Sequence, residues 1–136
     1  EQDYFEVTHE FEDSPFVDGM YSGHYEQYGR QYPMASFQLT FDGEDNTVTG
    51  HGSDKVGDYN MNGVYSAKTA KMQLDKTYIA GTGDRWENLG HTVKIRLQWN
   101  HTKRQFEGPW YVKTYKYEGT GKWVITPCDN NDGYQE

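Results

Sequence analysis

The sequence predicts an all-β fold: an antiparallel up-and-down meander of about eight strands, more barrel than sandwich. Three observations carry this. Apolar and polar residues alternate with period two in several separate stretches, as they do where successive side chains point to opposite faces of a strand. Clusters of Gly, Asn, Asp and Ser separate those stretches at roughly 10–15 residue intervals, close to the spacing of hairpins in an all-β domain. No window of useful length carries the helical period.

Taken in chain order, residues 1–18 are acidic with isolated aromatics and read as an N-terminal arm or an extra edge strand. The barrel-like domain is expected over 19–127. Phe37, Leu39 and Phe41 alternate with Ser36, Gln38 and Thr40, and after the turn at 42–46 Tyr59, Met61 and Tyr65 form the apolar set of a later strand. Met72 and Leu74 interleave with Lys71, Gln73 and Asp75. The clearest strand sets Val93, Ile95, Leu97 and Trp99 against Lys94, Arg96, Gln98 and Asn100. Phe106, Trp110 and Val112 follow, with Tyr111, Tyr115 and Tyr117 expected as a tyrosine ladder on the opposite face. Residues 128–136 read as a polar C-terminal tail.

A short repeat favours the barrel. Gly23, Gly50, Gly63 and Gly108 each sit in an apolar-x-Gly-x pattern beside aromatic or small residues. Inward glycines suit a strongly curved sheet, making room for a neighbouring ring, and closure removes the exposed edges that drive aggregation.

The 136 residues suffice for one domain, and an aromatic content of 16% supplies a core that disordered chains lack. A net charge of −8 disfavours nucleic acid and anionic membrane surfaces as partners, and no apolar run is long enough for membrane insertion as a helix. The start at Glu1 fits a secreted, extracellular protein whose signal has been removed, although a trimmed chain would begin the same way. Cys128, the single cysteine, is either an intermolecular disulfide joining a homodimer or a free tail thiol. Asn100 heads an Asn-His-Thr glycosylation sequon.

Nothing points to catalysis, a cofactor or a metal. The five histidines have no metal-ligand spacing, and nucleophile-elbow and phosphate-loop motifs are absent. The acidic run at 42–46 is read as a hairpin turn ahead of a calcium loop. Sugar chemistry is better represented. A pyranose offers hydroxyls to planar Asp and Asn groups and an apolar face to an aromatic ring. Asp54, Asp58 and Asn60 cluster around Tyr59, and Trp86, Glu87 and Asn88 form a second such group in a loop. These seven are the candidate ligand-binding residues.

The segments Tyr21-Ser22-Gly23-His24-Tyr25-Glu26-Gln27-Tyr28-Gly29, Tyr32-Pro33-Met34 and Gly50-His51-Gly52-Ser53-Asp54-Lys55-Val56-Gly57-Asp58-Tyr59 resemble a small feather-star (crinoid) type of galactose- and N-acetyllactosamine-binding lectin, over about residues 19–126. The pattern is also similar to a wider β-domain group that includes mussel foot proteins. The strand layout resembles the avidin type of eight-stranded barrel. The resemblance implies a non-enzymatic lectin that binds glycans or glycoproteins, and with the start at Glu1 and the odd Cys128 the expectation is a secreted homo-oligomer. Two alternatives stand beside it: a structural or adhesive matrix protein of foot or byssal type, and a barrel carrying a small apolar ligand.

Overall fold

The computed structural model describes residues 14–128. Eight strands follow one another: β1 (Gly19–Gln27), β2 (Arg30–Asp42), β3 (Thr47–Ser53), β4 (Asp58–Ser66), β5 (Lys71–Tyr78), β6 (Thr92–Asn100), β7 (Gln105–Lys113) and β8 (Glu118–Pro127). Each pairs antiparallel with its sequence neighbour, and β8 returns to pair with β1, so the sheet is a closed barrel. Most of the arm expected at 1–18, and the tail from 129 onward, lie outside the described residues.

The alternation sets the two faces of the wall. Tyr21, Phe37, Leu39, Met61, Met72, Leu74, Ile95, Phe106 and Ile125 point inward and are at most 1% exposed. Lys94, Arg96, Gln98, Asn60 and Asn62 point outward and are exposed or partly so. On β2 the inward phase switches from Tyr32 and Met34 to Phe37, Leu39 and Phe41. The register against β1 slips there, with Tyr21 opposite Phe37 but Gly23 opposite Met34, so β2 holds one extra residue in a bulge.

The repeat glycines are required within the strands for a reason that differs from the expected one. A side chain at Gly23, Gly63 or Gly108 would overlap the backbone carbonyl of the adjoining strand, at Val124, Gln73 and Arg96 respectively. Close approach of backbone, more than accommodation of a ring, requires glycine at these three sites. At Gly50 both a carbonyl, that of Gln38, and the Leu39 side chain stand in the way.

The barrel has two unlike ends. Loops 43–46, 67–70 and 101–104, together with residues 14–18 and Cys128, form the lower rim. Phe16 plugs it, its ring centroid 4.7 Å from Tyr65, 5.3 Å from Phe106 and 5.5 Å from Phe41. The Tyr21 hydroxyl donates to the Val17 carbonyl at 2.6 Å, and the Asp18 carboxylate accepts the Phe41 N–H at 2.8 Å, which holds the plug across the opening. The three lower hairpins share one geometry. The N–H of Asn46, Ala70 and Arg104 reaches back to the carbonyl of Asp42, Ser66 and Asn100 at 2.8, 2.8 and 2.7 Å. Each turn is capped by the side chain of its first residue, and each closes on a residue with positive φ. The acidic run at 42–46 is one of these turns, and Asp42 Oδ1 is occupied by the Glu44 N–H.

Candidate functional site

The upper rim is built from loops 28–29, 54–57, 79–91 and 114–117. Four of the exposed large aromatics of the described chain stand on it: Tyr115 is 91% exposed, Tyr28 85%, Trp86 70% and Tyr117 36%. Tyr111, on the outer wall of β7, is the other. The expected tyrosine ladder therefore does not form. The backbone turns at 114–117, where the Thr114 N–H donates to the Tyr117 carbonyl at 2.8 Å, and this carries Tyr115 and Tyr117 off the strand.

Loop 79–91 is the longest on this rim and is held from both sides. Toward β4, the Asp84 N–H donates to the Val56 carbonyl at 2.9 Å and the Thr82 hydroxyl accepts the Asp58 N–H at 2.9 Å. Toward β8, Lys116 Nζ donates to the Trp86 carbonyl at 2.6 Å. Tyr117 Oη lies 2.7 Å from His91 Nε2 and donates to the Glu87 carbonyl at 3.2 Å. The Leu89 N–H points at His91 Nδ1 at 3.3 Å, which assigns the ring proton to Nε2 and makes the imidazole a donor to Tyr117. Burial and the Lys76 charge hold His91 below its ordinary pKa, with Asp54 acting in the opposite sense.

Below the rim lies a buried polar cluster. Lys76, on the inward phase of β5, is 8% exposed and donates to Asp54 Oδ2 at 3.1 Å. The Tyr78 hydroxyl donates to the same oxygen at 2.6 Å. The Lys76 ammonium also lies 4.4 Å from the Tyr59 ring centroid and 5.0 Å from that of Tyr78. Asp54 Oδ1 accepts the Val56 and Gly57 N–H groups at 2.9 and 3.3 Å. Burial alone would raise the Asp54 carboxyl, but the Lys76 charge and the bonds from Tyr78, Lys76 and Gly57 bring it below the usual carboxylate value. Lys76 is shifted down by desolvation, against the pull of Asp54, and Tyr78 and Tyr59 are shifted up, chiefly by burial.

The seven candidate residues separate into four settings. Asp54 and Tyr59 join the buried cluster. Asp58 is exposed at the start of β4 and accepts the Ser53 hydroxyl, while Asn60 points outward from the wall below it. Trp86 and Glu87 are exposed on loop 79–91. Asn88 is spent within that loop: its Nδ2 donates to the Ile79 and Thr82 carbonyls, both at 2.8 Å, and its Oδ1 accepts the Gly90 N–H at 2.8 Å. Asn100 lies on the opposite rim, where Nδ2 donates to Glu107 at 3.1 Å, and Cys128 is exposed there as a free thiol.

Sequence reasoning passed over Lys76, Tyr78 and His91, and put Tyr117 on a strand ladder instead of beside His91. The first two had a signal, since Met72, Leu74, Lys76 and Tyr78 continue one alternating set. His91 and Tyr117 had none, because they meet across 26 residues through loops of different hairpins. Compared with known proteins, the chain significantly matches no protein-family model, no curated protein and no solved structure.

Proposed function

We propose that the protein is a secreted, non-enzymatic carbohydrate-binding protein that takes galactose- or N-acetyllactosamine-type glycans at the upper rim. One observation carries the reading: Trp86 presents most of its ring to solvent, with the Arg85 guanidinium 5.4 Å from the ring centroid and the exposed Glu87 next in the chain, on a loop pinned by Lys116 and Tyr117. A tryptophan held outward at 70% exposure leaves apolar surface in water, a cost that a stacking ligand removes. Pinning its loop lowers the ordering penalty on binding. Among the described residues the Glu87 carboxylate has no hydrogen-bond partner, so it is available to sugar hydroxyls. Tyr115 extends the aromatic surface onto the neighbouring β7–β8 loop, and Tyr28 stands across the barrel mouth on the β1–β2 loop. Pairing of two chains through Cys128 would make the protein bivalent.

The test is a glycan array with wild type and Trp86→Ala, using soluble galactosides as competitors. Selective binding that competes with galactosides and falls at least tenfold in a folded Trp86→Ala protein supports the reading, and a blank array from folded wild type overturns it.

The matrix-adhesion reading draws on the near-complete exposure of Tyr28 and Tyr115, and predicts surface adsorption that sugars do not compete. The small-ligand reading is the weakest of the three, because Tyr21, Phe37, Met61, Met72 and Phe106 fill the lumen where an apolar ligand would lie.

A further inference from the structure

Lys76 is the one charged side chain buried in the barrel among the described residues. An ammonium there carries a desolvation cost that a methionine would avoid, and Met61 and Met72 already line the same lumen. Its two polar neighbours differ in kind. Tyr78 lies on the same strand, two residues on, and belongs to the rigid wall. Asp54 belongs to a loop, and its side chain is 33% exposed against 10% for Lys76. The cationic cradle is thus fixed and buried, while the carboxylate filling it sits on the solvent side and lies over the ammonium.

We propose that Lys76 and Tyr78 form a carboxylate-binding site for an acidic sugar of the uronic- or sialic-acid class, and that Asp54 occupies it as a tethered stand-in. The incoming carboxylate takes the place of Asp54 Oδ2, accepting from Lys76 Nζ and Tyr78 Oη, while the ring remains at the rim. Asp54 competes with that ligand, so its removal exposes the site and raises affinity. The identity of the ligand as a sugar rests on the carbohydrate-binding reading. The anion site itself does not.

The experiment separates the two. Thermal unfolding midpoints are measured for wild type, Asp54→Ala and Asp54→Ala/Lys76→Met, at neutral pH, during titration with sodium acetate against matched sodium chloride. Asp54→Ala is expected to melt below wild type and to recover saturably with acetate, whereas wild type and the double variant respond to acetate no more than to chloride. If Asp54→Ala does not fold, Asp54→Ser, whose shorter side chain can still accept an N–H of the 54–57 turn while leaving the Oδ2 position empty, replaces it with the same expectation. Calorimetry with glucuronate and N-acetylneuraminate then reads the sugar class, with at least tenfold tighter binding expected for the Asp54 variant than for wild type. Absence of acetate-specific recovery, or equal recovery in the double variant, overturns the anion site even if neutral galactosides bind the array. Acetate recovery with no binding of acidic sugars leaves the anion site standing and overturns the sugar assignment.

Discussion

His91 Nε2 and Tyr117 Oη, 2.7 Å apart, join loop 79–91 to loop 114–117 through a neutral imidazole. A proton on Nδ1 would face the Leu89 N–H, so the folded chain disfavours the charged ring. The unfolded chain, with an ordinary value near 6.5, binds more protons between that value and the lowered folded one. Stability from this group is therefore present above pH 6.5 and is lost as pH falls through that window. NMR titration should place the His91 midpoint below 6.5, and His91→Gln should remove the corresponding step from the pH dependence of unfolding.

Ala70 closes its hairpin with φ of 59°, a left-handed conformation that strains a residue with a Cβ. Ala70→Gly relieves the strain and adds some unfolded-state entropy, so a net gain of about 0.5–1 kcal/mol is expected. Urea denaturation checks it, with a higher midpoint at an unchanged slope.

Gly63 and Gly29 should respond very differently to alanine. At Gly63 the added methyl meets the Gln73 carbonyl of the paired strand, and a loss of more than about 3 kcal/mol is expected. At Gly29 there is open space but φ is 77°, so only backbone strain of about 1 kcal/mol applies. Thermal melts of the two variants rank the effects.

Phe16 closes the lower rim from outside the barrel strands. Phe16→Ala strips contacts from Phe41, Tyr65 and Phe106. Because Phe16 is only half-buried, the expected loss is about 2 kcal/mol, below that of a full core phenylalanine. Calorimetry measures it. Binding at the upper rim should be unchanged.

The barrel wall was legible because its rule is local: a strand's neighbours two residues away share its face, so Val93, Ile95, Leu97 and Trp99 announced an inward row without knowledge of any partner. Closure was legible less directly, through glycines whose need for space comes from an adjoining strand. The polar cluster obeyed the same local rule but contradicted its usual reading. Lys76 continues an inward set, and a lysine there reads as the end of the pattern until Asp54 is seen 22 residues away. Trp86 was legible as exposed because it follows Asp84 and Arg85 in a loop, whereas the pinning of its backbone by Lys116 belongs to tertiary structure alone.

Both chain directions out of the barrel start from the lower rim: Ser14 precedes the plug, and the Cys128 N–H donates to the Met20 carbonyl at 2.8 Å. Nine of the 21 acidic residues fall in 1–13 and 129–136, where there is no Lys or Arg, so twelve acidic residues face all thirteen basic ones in the described barrel. The described barrel is consequently a nearly neutral body with exposed aromatic rings at its head, and both links to the acidic terminal segments leave it at the foot. Two such bodies joined foot to foot at Cys128 would point their heads in opposite directions, the geometry of a bridge between two surfaces and not of a two-pronged grip on one.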